Sequence, residues 1–220
     1  IYFHDPSKEL FEQCMRWLID NKFYFISTHE LYDILNGNGK LKKGAVCITV
    51  DDGKKGNLTN IVPIAKKLNI PVTIFVSTEP VKNGVFWWSY VEAYNKLSSK
   101  KISIEKCKNV KNEERLKLIN EIKNEIFLPR EAMTKEDIIK ISKFQNITIG
   151  NHTVNHPITK NCNFVTLENE INLASNELKK WIDKQIDFFA YPNGDFDGRE
   201  IEFLLKNNIK LAFTTSSEHI

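Results

Sequence analysis

Short apolar stretches alternate with helical patterns along almost the whole of this chain. The stretches are rich in Val, Ile, Phe and Thr, and the segments between them repeat apolar residues at helical spacing, as Leu167, Ile171 and Leu178 do. Strands that alternate with helices form a parallel sheet, because each helix carries the chain back across the sheet. Seven such stretches occur in 220 residues. The sequence therefore predicts an α/β fold, either a doubly wound sheet or a barrel with fewer than the usual eight strands.

One segment interrupts this alternation between the fourth and fifth predicted strands. It covers about residues 79–146, is rich in lysine in its middle, and shows a helical pattern over 112–126. We expect a single domain of residues 1–220 that carries this segment as a long insertion. After the fifth strand, Thr166 is expected to cap a long helix that runs to Ile182.

The overall composition excludes several classes of protein. Apolar residues make up 41% and charged residues 27%, as in an ordinary globular protein. No apolar run approaches the ~20 residues of a membrane-spanning helix, so we expect no transmembrane segment. The net charge of +3 is too small to indicate nucleic-acid binding. None of the four cysteines forms a C-x-x-C pair, so a cysteine-ligated zinc site is not expected.

The third predicted strand, residues 45–50, ends at two adjacent carboxylates, Asp51 and Asp52, followed by Gly53. Neighbouring carboxylates repel each other, so a cation must neutralise them or one must stay protonated. One carboxylate would then bind a metal ion while the other transfers protons. The alternative interpretation is a simple turn or helix cap, since Asp-Gly is a common turn pair.

Polar residues gather at the ends of several predicted strands. His4, Asp51, Asp52, His152 and Asn193 all lie at or just after a strand's carboxyl end. In a parallel α/β barrel these ends share one face, and that face carries the active site. The pattern therefore predicts that these five side chains form one functional site.

His152 and His156 are four residues apart, which places them one helical turn apart and lets both imidazoles reach one metal ion. With Asp52 they make a set of two histidines and one carboxylate. This set is suited to zinc, although nickel, cobalt or iron would accept the same ligands. Asp51 would remain free to act as general base on a water molecule.

Two motifs resemble those of the polysaccharide deacetylase family, the NodB-homology domain of carbohydrate esterase family four. Residues 49–53, Thr-Val-Asp-Asp-Gly, resemble the family's T-F-D-D-G, and residues 152–156, His-Thr-Val-Asn-His, resemble its H-[ST]-x-x-H. The resemblance implies a distorted (β/α) barrel of about seven parallel strands. It also implies metal-dependent removal of acetyl groups, with Asp51 as base and Asp52, His152 and His156 as metal ligands.

The third family motif, R-x-P-x-G, aligns with residues 190–194, so Ala190 stands where the family has an arginine that orients the catalytic carboxylate. The family's late histidine motif has no match at residues 215–220. Instead, residues 1–5 resemble it at the other end of the chain. This arrangement is similar to that of circularly permuted deacetylases of poly-N-acetylglucosamine, and it implies that His4 is the general acid.

Aromatic residues supply candidates for sugar binding, because aromatic rings stack on sugar faces. Trp87 and Trp88 in the insertion, with Tyr191 and Asn193 in the third motif, are the predicted substrate-binding residues. The aromatic residues of the insertion are equally suited to anchoring it on the barrel.

The sequence thus predicts a metal-dependent hydrolase that deacetylates N-acetylated sugars of a polysaccharide or oligosaccharide. One alternative is a related amidase that acts on a non-sugar amide, and another is a non-catalytic carbohydrate-binding protein on the same fold. The resemblance favours the cell envelope or the extracellular space, and the cytoplasm stays open.

Overall fold

The computed structural model describes residues 1–216. Its strands are β1 (Tyr2–Phe3), β2 (Tyr24–Ile26), β3 (Ala45–Val50), β4 (Val72–Val76), β5 (Ile147–Asn151), β6 (Phe188–Ala190) and β7 (Leu211–Phe213).

The α-helices are α1 (Lys8–Asp20), α2 (Thr28–Leu35), α3 (Val62–Leu68), α4 (Thr78–Asn83), α5 (Trp87–Leu97), α6 (Ile104–Asn109), α7 (Asn112–Lys123), α8 (Lys135–Ile141), α9 (Phe164–Ile182) and α10 (Glu200–Lys206). A π-helical turn, Asn57–Ile61, leads directly into α3. None of the helices within the described residues combines the length and the apolar character needed to cross a bilayer.

All seven strands run parallel in one curled sheet, which confirms the predicted α/β fold and its distorted barrel. The order across the sheet is β1-β3-β4-β5-β6-β7, and β2 pairs with the first half of β3. Tyr2 and Phe3 pair with Thr49 and Val50, so the first strand of the chain lies beside the strand that leads to the two carboxylates.

The two faces of the sheet pack against different partners. On the outer face, alternate residues such as Ile48, Val50 and Ile74 join the helices in the main apolar core. On the inner face, Phe75 and Phe188 fill the barrel together with residues of β7. This packing requires glycine on β5, because a Cβ on Gly150 would lie 2.4 Å from the Phe75 ring.

The segment between β4 and β5, residues 79–146, holds most of α4 and all of α5 to α8. We call it the insertion. Five of its residues form an apolar cluster separate from the main core: Trp87, Val91, Cys107, Ile119 and Ile122. The insertion is therefore packed partly by itself.

The start of the long helix differs from the prediction. Helix α9 begins at Phe164, and the residue that caps it is Asn163, whose side chain accepts a hydrogen bond from the Thr166 amide. Asn163 caps the helix instead of Thr166, and asparagine is among the residues most favoured at the N-cap position. Residues 215–220 have no match to the family's late histidine motif. Four of them, 217–220, lie outside the described part of the chain.

Candidate active site

The carboxylates at the end of β3 lie where the backbone turns sharply. Asp52 has a φ of +79° and Gly53 a φ of +82°, both in the left-handed region. Asp51 still continues the sheet, since its amide donates to the Phe3 carbonyl at 2.9 Å. As a result, Asp52 lines a pocket of about 300 Å³ with His4 and His156, whereas Asp51 lines a separate cavity of about 260 Å³ with Ala190.

Asp52, His152 and His156 converge on one point. One ligand atom from each lies within 4.8 Å of the others. The Nε2 atoms of His152 and His156 are 3.7 and 3.4 Å from Asp52 Oδ1. These separations are close to the roughly 3.3 Å expected between two ligands that bind one zinc ion tetrahedrally at about 2.0–2.1 Å.

The three side chains are suited to binding a divalent cation, and their contacts with one another leave a buried oxygen without a hydrogen bond. Asp52 Oδ1 is buried and has no hydrogen-bond partner among residues 1–216. A buried carboxylate oxygen without a partner is costly, and a cation bound there would remove the cost. The donor set of one oxygen and two imidazole nitrogens is also the kind that zinc accepts.

Burial controls the charges of this cluster. It raises the pKa of Asp52 and lowers that of His152, although each is partly opposed by the charge of the other. It lowers the pKa of His156 well below the ordinary value, with His152 and Arg115 adding to the effect. The imidazoles are therefore neutral at pH 7, the form in which histidine binds metal. Burial also raises the pKa of Asp51 to about 6.

The barrel fixes the orientation of His152. Its amide donates to the Val76 carbonyl at 3.1 Å, which continues the pairing of β5 with β4. Its Nδ1 lies 2.8 Å from the Ala190 carbonyl on β6, so Nε2 is left to face Asp52. A hydrogen bond from the second ring nitrogen to a carbonyl is a frequent support for a metal-binding histidine.

Residues 152–156 form an irregular loop, so the prediction that one helical turn separates the two histidines is wrong. Thr153 and His156 have φ values of +67° and +51°. Glu170 on α9 holds the loop by accepting hydrogen bonds from the amides of Val154 and Asn155, at 2.9 and 2.8 Å. A helix would bond these amides internally, and here a buried carboxylate takes that place.

Of the other predicted site residues, the structure brings His4, Asn193, Trp87 and Trp88 to the pocket of Asp52. Tyr191 lies apart from them, as a buried residue that borders the cavity beside Asp51.

Trp87 and Trp88 belong to the wall of the pocket and also contact the loop of residues 152–156, the candidate metal-binding loop. The Nε1 of Trp87 donates to the His156 carbonyl at 3.2 Å. The Trp88 ring meets the His156 imidazole edge-on at 4.9 Å. Both interpretations offered for these aromatic residues, pocket wall and anchor, therefore agree with where the structure places them.

The sequence analysis missed several residues that surround the site. Lys54, Glu92 and Lys108 line the pocket, and Arg115 contacts the His156 loop from α7. Lys108 and Arg115 fall in a lysine-rich segment where no motif marks them. The one available signal was that Arg115 is one of only four arginines in a chain whose cations are mostly lysines.

Known proteins are similar to this chain in sequence and in fold. The family model for polysaccharide deacetylases matches residues 38–212. A stretch of 71 residues is 37% identical to YxkH of Bacillus subtilis (strain 168), a protein named as a polysaccharide deacetylase, and covers 32% of this chain and 25% of YxkH. The chain thus matches about a quarter of the length of this curated relative.

Two solved structures resemble this chain over nearly its full length. Deacetylase PplD of Streptococcus pyogenes gives a TM-score of 0.68 at 19% identity, and the match covers 98% of this chain and 81% of PplD. A de-N-acetylase from Aggregatibacter actinomycetemcomitans gives 0.71 at 18% identity, with 99% and 87% covered. At such low identity these likenesses establish the shared fold, while the family model, which takes in both the Asp-Asp and the His-His motifs, establishes the relationship. This chain belongs to the polysaccharide deacetylase family.

Proposed function

We propose that this protein is a metal-dependent deacetylase that hydrolyses the N-acetyl groups of a polysaccharide or oligosaccharide. The observation that carries the proposal is the convergence of Asp52, His152 and His156 on one point beside Asp51. A family of deacetylases supplies the reaction class, and this cluster supplies the means to carry it out.

Asp52, His152 and His156 would hold the ion, and zinc is the ion that their oxygen and two nitrogens suit best. When bound, a divalent cation supplies a Lewis acid that activates water and polarises the acetyl carbonyl. Three protein ligands leave room for water and substrate, and the adjoining pocket of about 300 Å³ offers the space.

Asp51 and His4 are proposed to move the protons. Asp51 accepts a proton from the attacking water while the water oxygen bonds to the acetyl carbon. His4 donates a proton to the nitrogen as the carbon–nitrogen bond breaks, which releases acetate and a free amine. In support, His4 lines the pocket of Asp52 and lies close enough to lower the pKa of Asp51 against the effect of burial.

The position of His4 also supports the proposed circular permutation. The family model matches from residue 38 onward, so β1 and its histidine precede the matched region. Because β1 pairs with β3, a histidine after β1 reaches the same end of the barrel as the two carboxylates. A strand moved from one end of the chain to the other would keep that place.

The pocket supports a sugar substrate. Trp88 presents a partly buried ring beside the candidate metal ligands, and Asn193 and Lys108 add polar groups to the lining of the pocket. We place the reaction at the cell envelope or outside the cell, as the resemblance to the polysaccharide deacetylase family implies.

The first test measures bound metal and released acetate together. Wild type, Asp52→Ala and His156→Ala are loaded with zinc, dialysed and analysed for metal, and then incubated with N-acetylglucosamine oligomers. We expect about one zinc ion per wild-type chain, little in either variant, and acetate release only by wild type.

Other results would decide between the alternatives. Zinc binding with release of acetate from small non-sugar amides, but not from the oligomers, would favour the amidase. Wild type that binds the oligomers without metal and without releasing acetate would favour a non-catalytic binding protein and overturn the proposal.

A further inference from the structure

The insertion contributes none of the three candidate metal ligands, but one of its residues fixes the third ligand in place. We infer that Arg115 on α7 is a positioning residue that holds His156 in its metal-binding orientation. This inference rests on the proposed metal site, and it assigns the insertion a part in that site besides forming a pocket wall.

The two histidines of the cluster are supported differently. His152 has a ring nitrogen bonded to the Ala190 carbonyl. The corresponding Nδ1 of His156 is buried and has no hydrogen-bond partner among residues 1–216. His156 also lies in the loop and not at the end of a strand, so no sheet pairing holds its backbone. Its orientation must come from another contact.

The Trp88 ring meets the imidazole edge-on at 4.9 Å, and the His156 amide donates to Thr153 Oγ1 at 3.2 Å. The backbone carbonyl of His156 is held by two donors from the insertion. Nη1 of Arg115 donates to it at 2.8 Å, and Nε1 of Trp87 donates to it at 3.2 Å. Because φ of His156 is +51°, a conformation that costs a histidine free energy, the carbonyl needs such partners to stay where it is. Holding this peptide in place sets the position of the His156 Cα, and therefore the position from which the imidazole side chain extends.

Arg115 is itself held firmly. Its side chain is only 2% exposed, its Nη2 donates to Asn112 Oδ1 at 2.7 Å, and its guanidinium lies 4.8 Å from the Trp87 ring centre. Burying a guanidinium is expensive, and burial lowers its pKa to about 10. A lysine would not reproduce this arrangement, since all its donors sit on one nitrogen, whereas Arg115 uses two separate nitrogens for its two acceptors.

The test compares zinc affinity in wild type, Arg115→Met and Arg115→Lys, measured by competition with a chromophoric chelator. Methionine keeps much of the buried volume but donates nothing. We expect Arg115→Met to bind zinc about 10–100-fold more weakly, as is usual when a group that supports a metal ligand is lost. Arg115→Lys should recover part of the affinity, because one donor can be replaced.

A matched control comes from the same insertion. Arg130 also donates to backbone carbonyls, those of Val81 and Lys82, but it does not touch the metal-binding loop. Arg130→Met should leave zinc affinity unchanged. The visible spectrum of the cobalt-loaded protein provides a second measurement, since its band positions report ligand geometry and are insensitive to stability alone. They should shift in Arg115→Met and not in Arg130→Met.

Folded Arg115→Met with the zinc affinity and cobalt spectrum of wild type would overturn the inference and leave the proposed function intact. Wild type that binds no zinc would instead overturn the proposed function. If Arg115→Met does not fold, Arg115→Lys decides the question. It keeps the buried positive charge but not the two separated donors of the guanidinium. Zinc binding weaker than that of wild type with a shifted cobalt spectrum supports the inference, and wild-type affinity with an unchanged spectrum overturns it.

Discussion

The barrel and the insertion meet at the candidate metal centre, but they contribute different kinds of residue to it. The barrel and the loops after its strands provide the groups proposed to carry out the chemistry, His4, Asp51, Asp52, His152 and His156. The insertion provides residues that contact these groups or the pocket, such as Trp88, Lys108 and Arg115. The two regions also have separate apolar clusters.

This difference indicates how the residues of the candidate site are divided between the barrel and the insertion. Sheet pairing fixes residues at strand ends to within a narrow range, which suits groups that must meet one ion. Helices packed on the outside can change without disturbing that pairing, which suits groups that recognise a substrate. On the proposed function, the insertion would shape the pocket and support His156, while the barrel would supply the reacting groups.

The largest effect should come from changing a carboxylate of the barrel. Asp51→Asn should lower kcat by about 10²–10⁴-fold with zinc content unchanged, because an amide cannot accept the proton and Asp51 is not among the expected ligands. Steady-state acetate release and metal analysis measure both. The control is Glu92→Gln, a carboxylate of the insertion in the same pocket, which should change kcat by no more than about threefold. Equal losses of kcat in the two variants would contradict the view that the reacting groups come from the barrel and not from the insertion.

A second prediction compares the two apolar clusters through the same substitution. Ile74 on β4 and Ile119 on α7 are 0% and 1% exposed. Ile74→Ala should lower the free energy of unfolding by about 2–5 kcal/mol in urea titration. Ile119→Ala should have a smaller effect on global unfolding but should speed hydrogen exchange in α5 to α7. Uniformly faster exchange in Ile119→Ala would show that the insertion and barrel unfold as one.

A third prediction tests how tightly the barrel interior is packed. Gly150→Ala should destabilise the protein by about 1–3 kcal/mol, because the new methyl group would lie 2.4 Å from the Phe75 ring. Denaturant unfolding measures the loss. Adding Phe75→Leu should recover part of it by removing the clash, and a double variant no more stable than Gly150→Ala would show that the ring is not the cause.

The smallest effect is expected at the pocket wall. Trp88→Leu should raise KM for N-acetylglucosamine oligomers by about 3–10-fold with kcat nearly unchanged, since the ring contributes to binding and not to proton transfer. The matched control is Trp17→Leu, a tryptophan on α1 that is 59% exposed and outside the pocket. A fall in kcat without a change in KM would assign Trp88 to the support of His156 alone.

The sequence predicted the barrel better than it predicted the insertion's role. The parallel fold follows from alternation, and the positions of Asp51, Asp52 and His152 follow from where their strands end, which are local properties of the chain. The contact between Arg115 and His156 joins residues 41 positions apart, and no local pattern records such a distance. The left-handed backbone at Thr153 and His156 was missed for a related reason, because the contacts from Glu170 and Arg115 that accompany it are distant in sequence.

Trp87 contacts both the pocket and the backbone of His156, and this double contact has a thermodynamic consequence. Its ring lines the pocket, and its Nε1 supports the peptide of a candidate metal ligand. If a sugar that binds in the pocket shifts this tryptophan, sugar binding would change the affinity for the ion, and reciprocity would require the ion to change the affinity for the sugar by the same factor. The concentration of free metal would then set how tightly the proposed sugar substrate binds.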